Sequence, residues 1–296
     1  MNPAAIIETQ SELDALIEVL NHYTQIAIDT ESNSFYAYYE RVCLIQISTA
    51  DQDFIIDPFS LRELSPMGEI LNNPRIEKIF HAASNDVLGL KRDFGFRICN
   101  LFDTAVACKL LGYTQLGLAR LLEEHFGVSL NKKWQRHDWS RRPLSQEQLD
   151  YARLDTHYLI PLRQKIGVNL NEGQLWDSAR ESFAKACEQE AQLKIFHPEA
   201  FIQIHGARAL DATGKRILKA LYLYREHEAR RRNRAPFRIL SNDTLLRLAR
   251  QRPKNTHDFF KIKGIPRTYH NGHASQNLLE LIRKTEGFME EVHIGN

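Results

Sequence analysis

Every strand-like run in this chain lies before residue 104, and that confinement limits the fold more than any other feature. Gln25 to Asp29, Val42 to Ile47 and Phe54 to Ile56 are β-branched or aliphatic runs bounded by turn residues, and three strands in such quick succession predict an antiparallel start to a sheet. Lys78 to His81 and Asn100 to Asp103 add two strands. They alternate with helical texture over Leu61 to Leu71, Asn85 to Phe94, Thr104 to Leu111 and Leu116 to Phe126. Gln146 to Ile166 reads as one helix, with Ser145 as its cap and Gln148 three residues on, and Glu172 to Leu193 as another. From Ala207 onward the texture is helical throughout. A chain so divided builds a layered α/β domain first and a helical bundle afterwards. The boundaries that follow are 1–166 for the sheet domain, 167–205 for a helical connector, 206–288 for the bundle and 289–296 for a tail.

Composition narrows the class. At 43% hydrophobic and 26% charged, the 296 residues exclude collagen-like and largely disordered chains. No apolar stretch approaches the roughly 18 residues of a membrane span, and the N-terminus lacks a basic start followed by an apolar run. A cytoplasmic protein without a membrane partner is expected. The net charge of +2 conceals an asymmetry: residues 1–165 carry 17 Lys+Arg against 22 Asp+Glu, and residues 166–296 carry 22 against 15. An acidic half can gather cations and a basic half can hold a polyanion. Cys43, Cys99, Cys108 and Cys187 show no paired spacing and read as reduced thiols, implying neither zinc nor disulfides.

Asp29 and Glu31, at i and i+2 of a strand end, project to one side of the sheet. Alone, that pair reads more readily as a solvated loop start. Asp86 follows the small residues Ala82, Ala83 and Ser84 at a helix start, where capping and the helix dipole also favour an acid. Tyr151 and Asp155 stand at i and i+4 on one helix face. Taken in order, Asp29, Glu31, Asp86, Tyr151 and Asp155 resemble the DEDD superfamily of 3′-5′ exonucleases, in its tyrosine-bearing branch. The segment Asp138 to Ser145 and His81-Ala82-Ala83 resemble motifs of ribonuclease D. The C-terminal bundle, through Leu221 to Arg225, Asn233 to Pro236, Ile239 to Asp243 and Ile262 to Pro266, resembles the HRDC domain.

The resemblance implies a ribonuclease-H-like α/β fold, a mixed sheet flanked by helices, followed by an all-α HRDC bundle. It implies stepwise hydrolysis of a single-stranded RNA 3′ end to nucleoside 5′-monophosphates, with tRNA precursors or other stable RNAs as substrates. Hard oxygen ligands suit two Mg²⁺ or Mn²⁺ ions rather than zinc or copper. By the same resemblance, Asp29, Glu31 and Asp155 hold the ion beside the attacking water, Asp29 bridges to the second, Asp86 acts through water and Tyr151 orients the attacking water. Tyr38, in the aromatic run Phe35 to Tyr39, and His81 are expected to touch substrate, as are Lys133 in a basic loop and Arg231 and Arg232 in the run Arg230 to Arg234. A DNA exonuclease and an inactive RNA-binding adaptor are the competing readings. Oligomeric state is not legible.

Overall fold

The β-branched runs form strands in the order β1-β4-β3-β2-β5-β6 within one sheet: β1 (Ala5–Ile7), β2 (Gln25–Ser32), β3 (Val42–Ser48), β4 (Asp53–Ile56), β5 (Glu77–Phe80) and β6 (Leu101–Asp103). The computed structural model describes residues 3–190, 195–270 and 272–287, so the expected tail at 289–296 lies outside the described residues. β2, β3 and β4 are antiparallel, as their close spacing predicts, whereas β5 and β6 run parallel to β2 and β1 runs parallel to β4. The chain divides into two units, Met1–Asn33 with Arg41–Gln192 and Ser34–Glu40 with Leu193–Asn296.

In the first unit the helices are α1 (Gln10–Leu20), α2 (Ser65–Leu71), α3 (Ser84–Phe94), α4 (Thr104–Leu110), α5 (Leu118–Phe126), α6 (Gln146–His157), α7 (Leu159–Glu172) and α8 (Trp176–Glu188). Ile26, Ile28, Ile45 and Ile47 share a core with Leu13 and Leu16 of α1 and Val87 and Leu90 of α3. Leu44 and Ile55 instead cluster with Trp139 and with Ala152 of α6. Alternate residues of the central strands therefore serve two different layers, which is how an entirely buried strand such as β3 reads as a mostly apolar run, interrupted at Gln46.

Two helices differ from the expectation. Gln146 to Ile166 is broken at Tyr158 into α6 and α7, because Pro161 has no N–H for the carbonyl four residues back. The proline is accommodated in the first turn of a new helix, where amide groups lack helical partners anyway. The Ser145 cap forms as expected, with Gln148 returning a bond to the Ser145 amide at 2.7 Å. The expected connector is not an independent piece. α8 begins at Trp176, after a left-handed Gln174, and packs Phe183 on Phe102 of β6 with ring centroids 4.9 Å apart, inside the first unit.

The second unit contains α9 (Ala212–Arg231), α10 (Pro236–Ile239), α11 (Asn242–Gln251), α12 (Thr256–Phe260) and α13 (His273–Gly287), around Leu218, Leu221, Leu245, Leu248, Phe259 and Leu278. Asp211 caps α9 through the Gly214 amide at 2.7 Å and pairs with Arg252. Ser34–Glu40 also belongs here. The Ala235 amide donates to the Tyr36 carbonyl at 2.9 Å, the Tyr39 amide donates to Asn233 Oδ1 at 2.9 Å, and the Arg238 guanidinium lies 3.7 Å from the Tyr36 ring centre. Where the loop leaves and rejoins the first unit, Asn33 Oδ1 accepts from the Arg41 amide at 2.9 Å.

Candidate active site

Asp29 and Glu31 lie on one side of β2, paired across to Gln46 and Leu44 of β3, and the register shifts immediately afterwards between Glu31 and Ser32. Such a bulge ends regular pairing and bends the strand, a device common beside active sites. Between the two acids, Thr30 turns outward. Both its amide, at 3.0 Å, and its hydroxyl donate to Oδ1 of Asp86 in the first turn of α3.

The approach to Asp86 is held by a residue with no catalytic assignment. Ala82 adopts φ 59°, a left-handed conformation that a residue with a β-carbon rarely takes. Its amide donates to Asp103 Oδ1 at 3.0 Å and the Ala83 amide to Oδ2 at 2.8 Å. The same carboxylate caps α4 through the Ala105 and Val106 amides. Asp103 is 2% exposed. It is thus a structural cap, and it also fixes the turn that starts α3.

α6 supplies the other wall. Tyr151 stacks on the buried Trp139, with centroids 6.0 Å apart and planes at 25°, so an anchor from the preceding loop sets the phenol's orientation. Beneath it, Thr156 meets Ser48 of β3 at 2.7 Å, and Ser48 and His157 both engage Asp53. The most buried residues of α6 are Gln148, Ala152, Arg153 and Thr156, with Leu149 half-buried against Leu44, Ile55 and Ala152.

The five residues act on one another electrostatically. Burial, then the charges of Asp86, Asp155 and Glu31, raises Asp29 well above the carboxylate range, and burial followed by Asp155 and Asp86 does the same to Glu31. Asp86 is pushed to about 6 and Asp155 to about 7, both chiefly by burial. Tyr151 is raised by burial and by Asp155, Glu31 and Asp29, so at neutral pH it keeps its proton. Among the described residues no Lys, Arg or His pairs with any of the four carboxylates, and no three metal-ligating groups converge as a ready-made cage. Four hard-oxygen donors with unbalanced charge, and no thiolate among them, fit magnesium or manganese.

The residues expected at the substrate are dispersed. His81 directly follows β5, half-buried, with Nδ1 2.9 Å from the Thr104 hydroxyl. Lys133 is exposed, pairs with Glu147 at 2.9 Å and lies over Trp134. Tyr38 is in the second unit, where its hydroxyl is engaged by Glu226 and by Arg230. Arg231 and Arg232 both pair with the nearly buried Glu228, at 2.9 and 2.5 Å.

A family model described as 3′-5′ exonuclease matches residues 4–171, and one described as HRDC domain matches residues 214–281. The chain belongs to the 3′-5′ exonuclease family. Within it, the ribonuclease D type is supported by solved structures: the catalytic core of RRP6 from Trypanosoma brucei has a TM-score of 0.86 and 28% identity, covering 97% of this chain and 80% of that one. Escherichia coli RNase D, described as an exoribonuclease involved in structured RNA processing, has a TM-score of 0.72 and 28% identity, covering 98% and 77%. Among curated proteins, the exosome complex component 10 homolog of Caenorhabditis elegans is 35% identical over 257 residues, 86% of this chain and 29% of that protein. The chain spans less than half the length of the curated relatives it matches.

Members of this exonuclease family use two divalent ions, Mg²⁺ or Mn²⁺. Here the groups available to hold them are Asp29, Glu31, Asp86 and Asp155. Reading the sequence alone misses the supports: Thr30 as the tether of Asp86, and Trp139 as the platform under Tyr151. Threonine between two strand acids was the visible signal for the first. For the second, the tryptophan stands 12 positions before the tyrosine, and no periodicity joins them.

Proposed function

We propose that this exonuclease removes nucleotides one at a time from the 3′ end of single-stranded RNA, releasing nucleoside 5′-monophosphates. The observation that carries the reading is the gathering of the acids Asp29, Glu31, Asp86 and Asp155 with Tyr151 from β2, α3 and α6 into one cluster, with no protein cation paired to the acids among the described residues. Bound ions would stabilise charge on the attacking and leaving oxygens of an in-line displacement. Asp29, Glu31 and Asp155 would hold the ion that activates the attacking water, Asp29 would also serve the second, and Asp86, tethered by Thr30, would act through water. Tyr151 keeps its proton and orients the attacking water by hydrogen bonding rather than removing its proton.

His81, Lys133, Tyr38, Arg231 and Arg232 are assigned to the RNA, Lys133 and the arginines through phosphates. Substrates are structured RNAs trimmed at their 3′ ends, with tRNA precursors among them. The similarity to E. coli RNase D, an exoribonuclease involved in structured RNA processing, supports that class, and the similarity to eukaryotic exosome complex components makes an exosome-type assembly the partner to test. Labelled RNA and DNA oligonucleotides of identical sequence, incubated with Mn²⁺, test the reading. RNA is expected to shorten from its 3′ end to monophosphates, and equal or faster loss of DNA overturns the RNA assignment.

A further inference from the structure

We propose that Gln46 is a positioning residue for Asp29, whose side-chain amide is engaged when the divalent ions bind. Gln46 stands directly across from Asp29 in the β2–β3 register, so the two side chains share a face of the sheet. Directly opposed residues have Cβ atoms about 5 Å apart. Its neighbours two residues away on the same strand are both covered by α6. Leu44 clusters with Ala152, and Ser48 meets Thr156 at 2.7 Å. Asp155 lies between those two helix positions. Gln46 is therefore enclosed between the Asp29 strand and the Asp155 helix.

It is fully buried, with 0% exposure, yet neither Oε1 nor Nε2 has a hydrogen-bond partner among the described residues. Hiding both halves of an amide from water without partners is costly, and a leucine would fill the same position at no such penalty. The nearest charged neighbour across the sheet is the carboxylate that the proposed function places between two ions. Nε2 can donate to that carboxylate and leave its remaining lone pairs for the metals, while Oε1 accepts from water carried with them. Orienting partners of this kind govern metal affinity as well as activity.

The inference rests on the two-ion reading of the four carboxylates, and the experiment separates the two. The full chain as wild type, Gln46→Met, Gln46→Leu and Asp29→Asn is titrated with Mn²⁺ by calorimetry in the absence of RNA, and each is melted in chelator. Both Gln46 variants are expected to melt at or above the wild-type temperature while binding Mn²⁺ about tenfold or more weakly. Wild-type Mn²⁺ affinity in both, whatever their melting temperatures, overturns the inference and makes Gln46 a core residue. If wild type binds no Mn²⁺, or Asp29→Asn binds as tightly as wild type, the two-ion reading itself fails and takes the inference with it. Two replacements of different shape guard against one that fails to fold.

Discussion

Charge is handled in opposite ways in the two units. In the first, the buried Asp86 and the half-buried Asp29, Glu31 and Asp155 have no cation among their described partners, and Asp29, Glu31 and Asp155 each have their pKa raised by at least one of the others. In the second, the arginine run that made this half look like a polyanion grip is largely paired within its own helix: Arg230 with Glu226, and Arg231 and Arg232 with Glu228. Unbalanced like charge is expensive and marks chemistry, whereas balanced charge at helical spacing stabilises a helix. A net charge counted over half a chain cannot distinguish the two.

The largest effect expected from breaking this contrast is on catalysis. Asp29→Ala or Asp155→Ala should lower metal-dependent RNA hydrolysis on the order of a thousandfold or more, since an ion's stabilisation of the transition state is worth several kcal/mol. Wild-type rates in a degradation assay would refute the site. Tyr151→Phe keeps the stack on Trp139 and removes only the hydroxyl. A loss of about a hundredfold in kcat is expected. Asp103→Ala leaves the amides of Ala82, Ala83, Ala105 and Val106, two of them buried, without that acceptor, and about 2–4 kcal/mol of stability should disappear in denaturant titration.

Acidity sharpens the comparison. A carboxyl whose pKa is raised by folding favours the folded state while it is protonated, and that contribution fades as pH rises through the folded value. In chelator, the metal-free protein should therefore lose stability between about pH 4 and pH 7, the interval that ends at the values of Asp86 and Asp155, and Mn²⁺ should restore it at the upper end. Melting curves across that interval check the sign. Glu228 behaves in reverse. Its pKa is lowered, first by the hydrogen bond from Arg231, so its contribution is present above the ordinary carboxylate range and is lost in acid. Glu228→Gln should cost about 1 kcal/mol at neutral pH, the smallest effect in the series.

The five residues proposed for the site stand out in the sequence because each sits on an element with its own signal: a strand end, a helix start, an i, i+4 helix face. The supports were less visible. Trp139 reaches Tyr151 through packing, and Asp103 gathers amides from two loops some 20 residues apart in sequence. The break at Tyr158 was legible in Pro161, and the pairing of Arg231 and Arg232 with Glu228 was legible in their i, i+3 and i, i+4 spacing. The loop at Ser34–Glu40 was not. Its aromatics suggested base stacking, but its described partners lie nearly two hundred residues away, as with Tyr36 and Ala235.

That loop changes what a cut can do. Seven residues that structurally belong to the helical unit are encoded immediately after the catalytic strand, so sequence order and structural membership disagree. Cleaving the backbone once after Gln192 yields two fragments, neither of which owns a whole unit: the C-terminal piece lacks its aromatic strap, and the N-terminal piece carries that strap without its partners. Recombination of the fragments, rather than independent folding, is the behaviour such an exchange of chain favours, and a swap of C-terminal modules between relatives would have to carry residues 34–40 along.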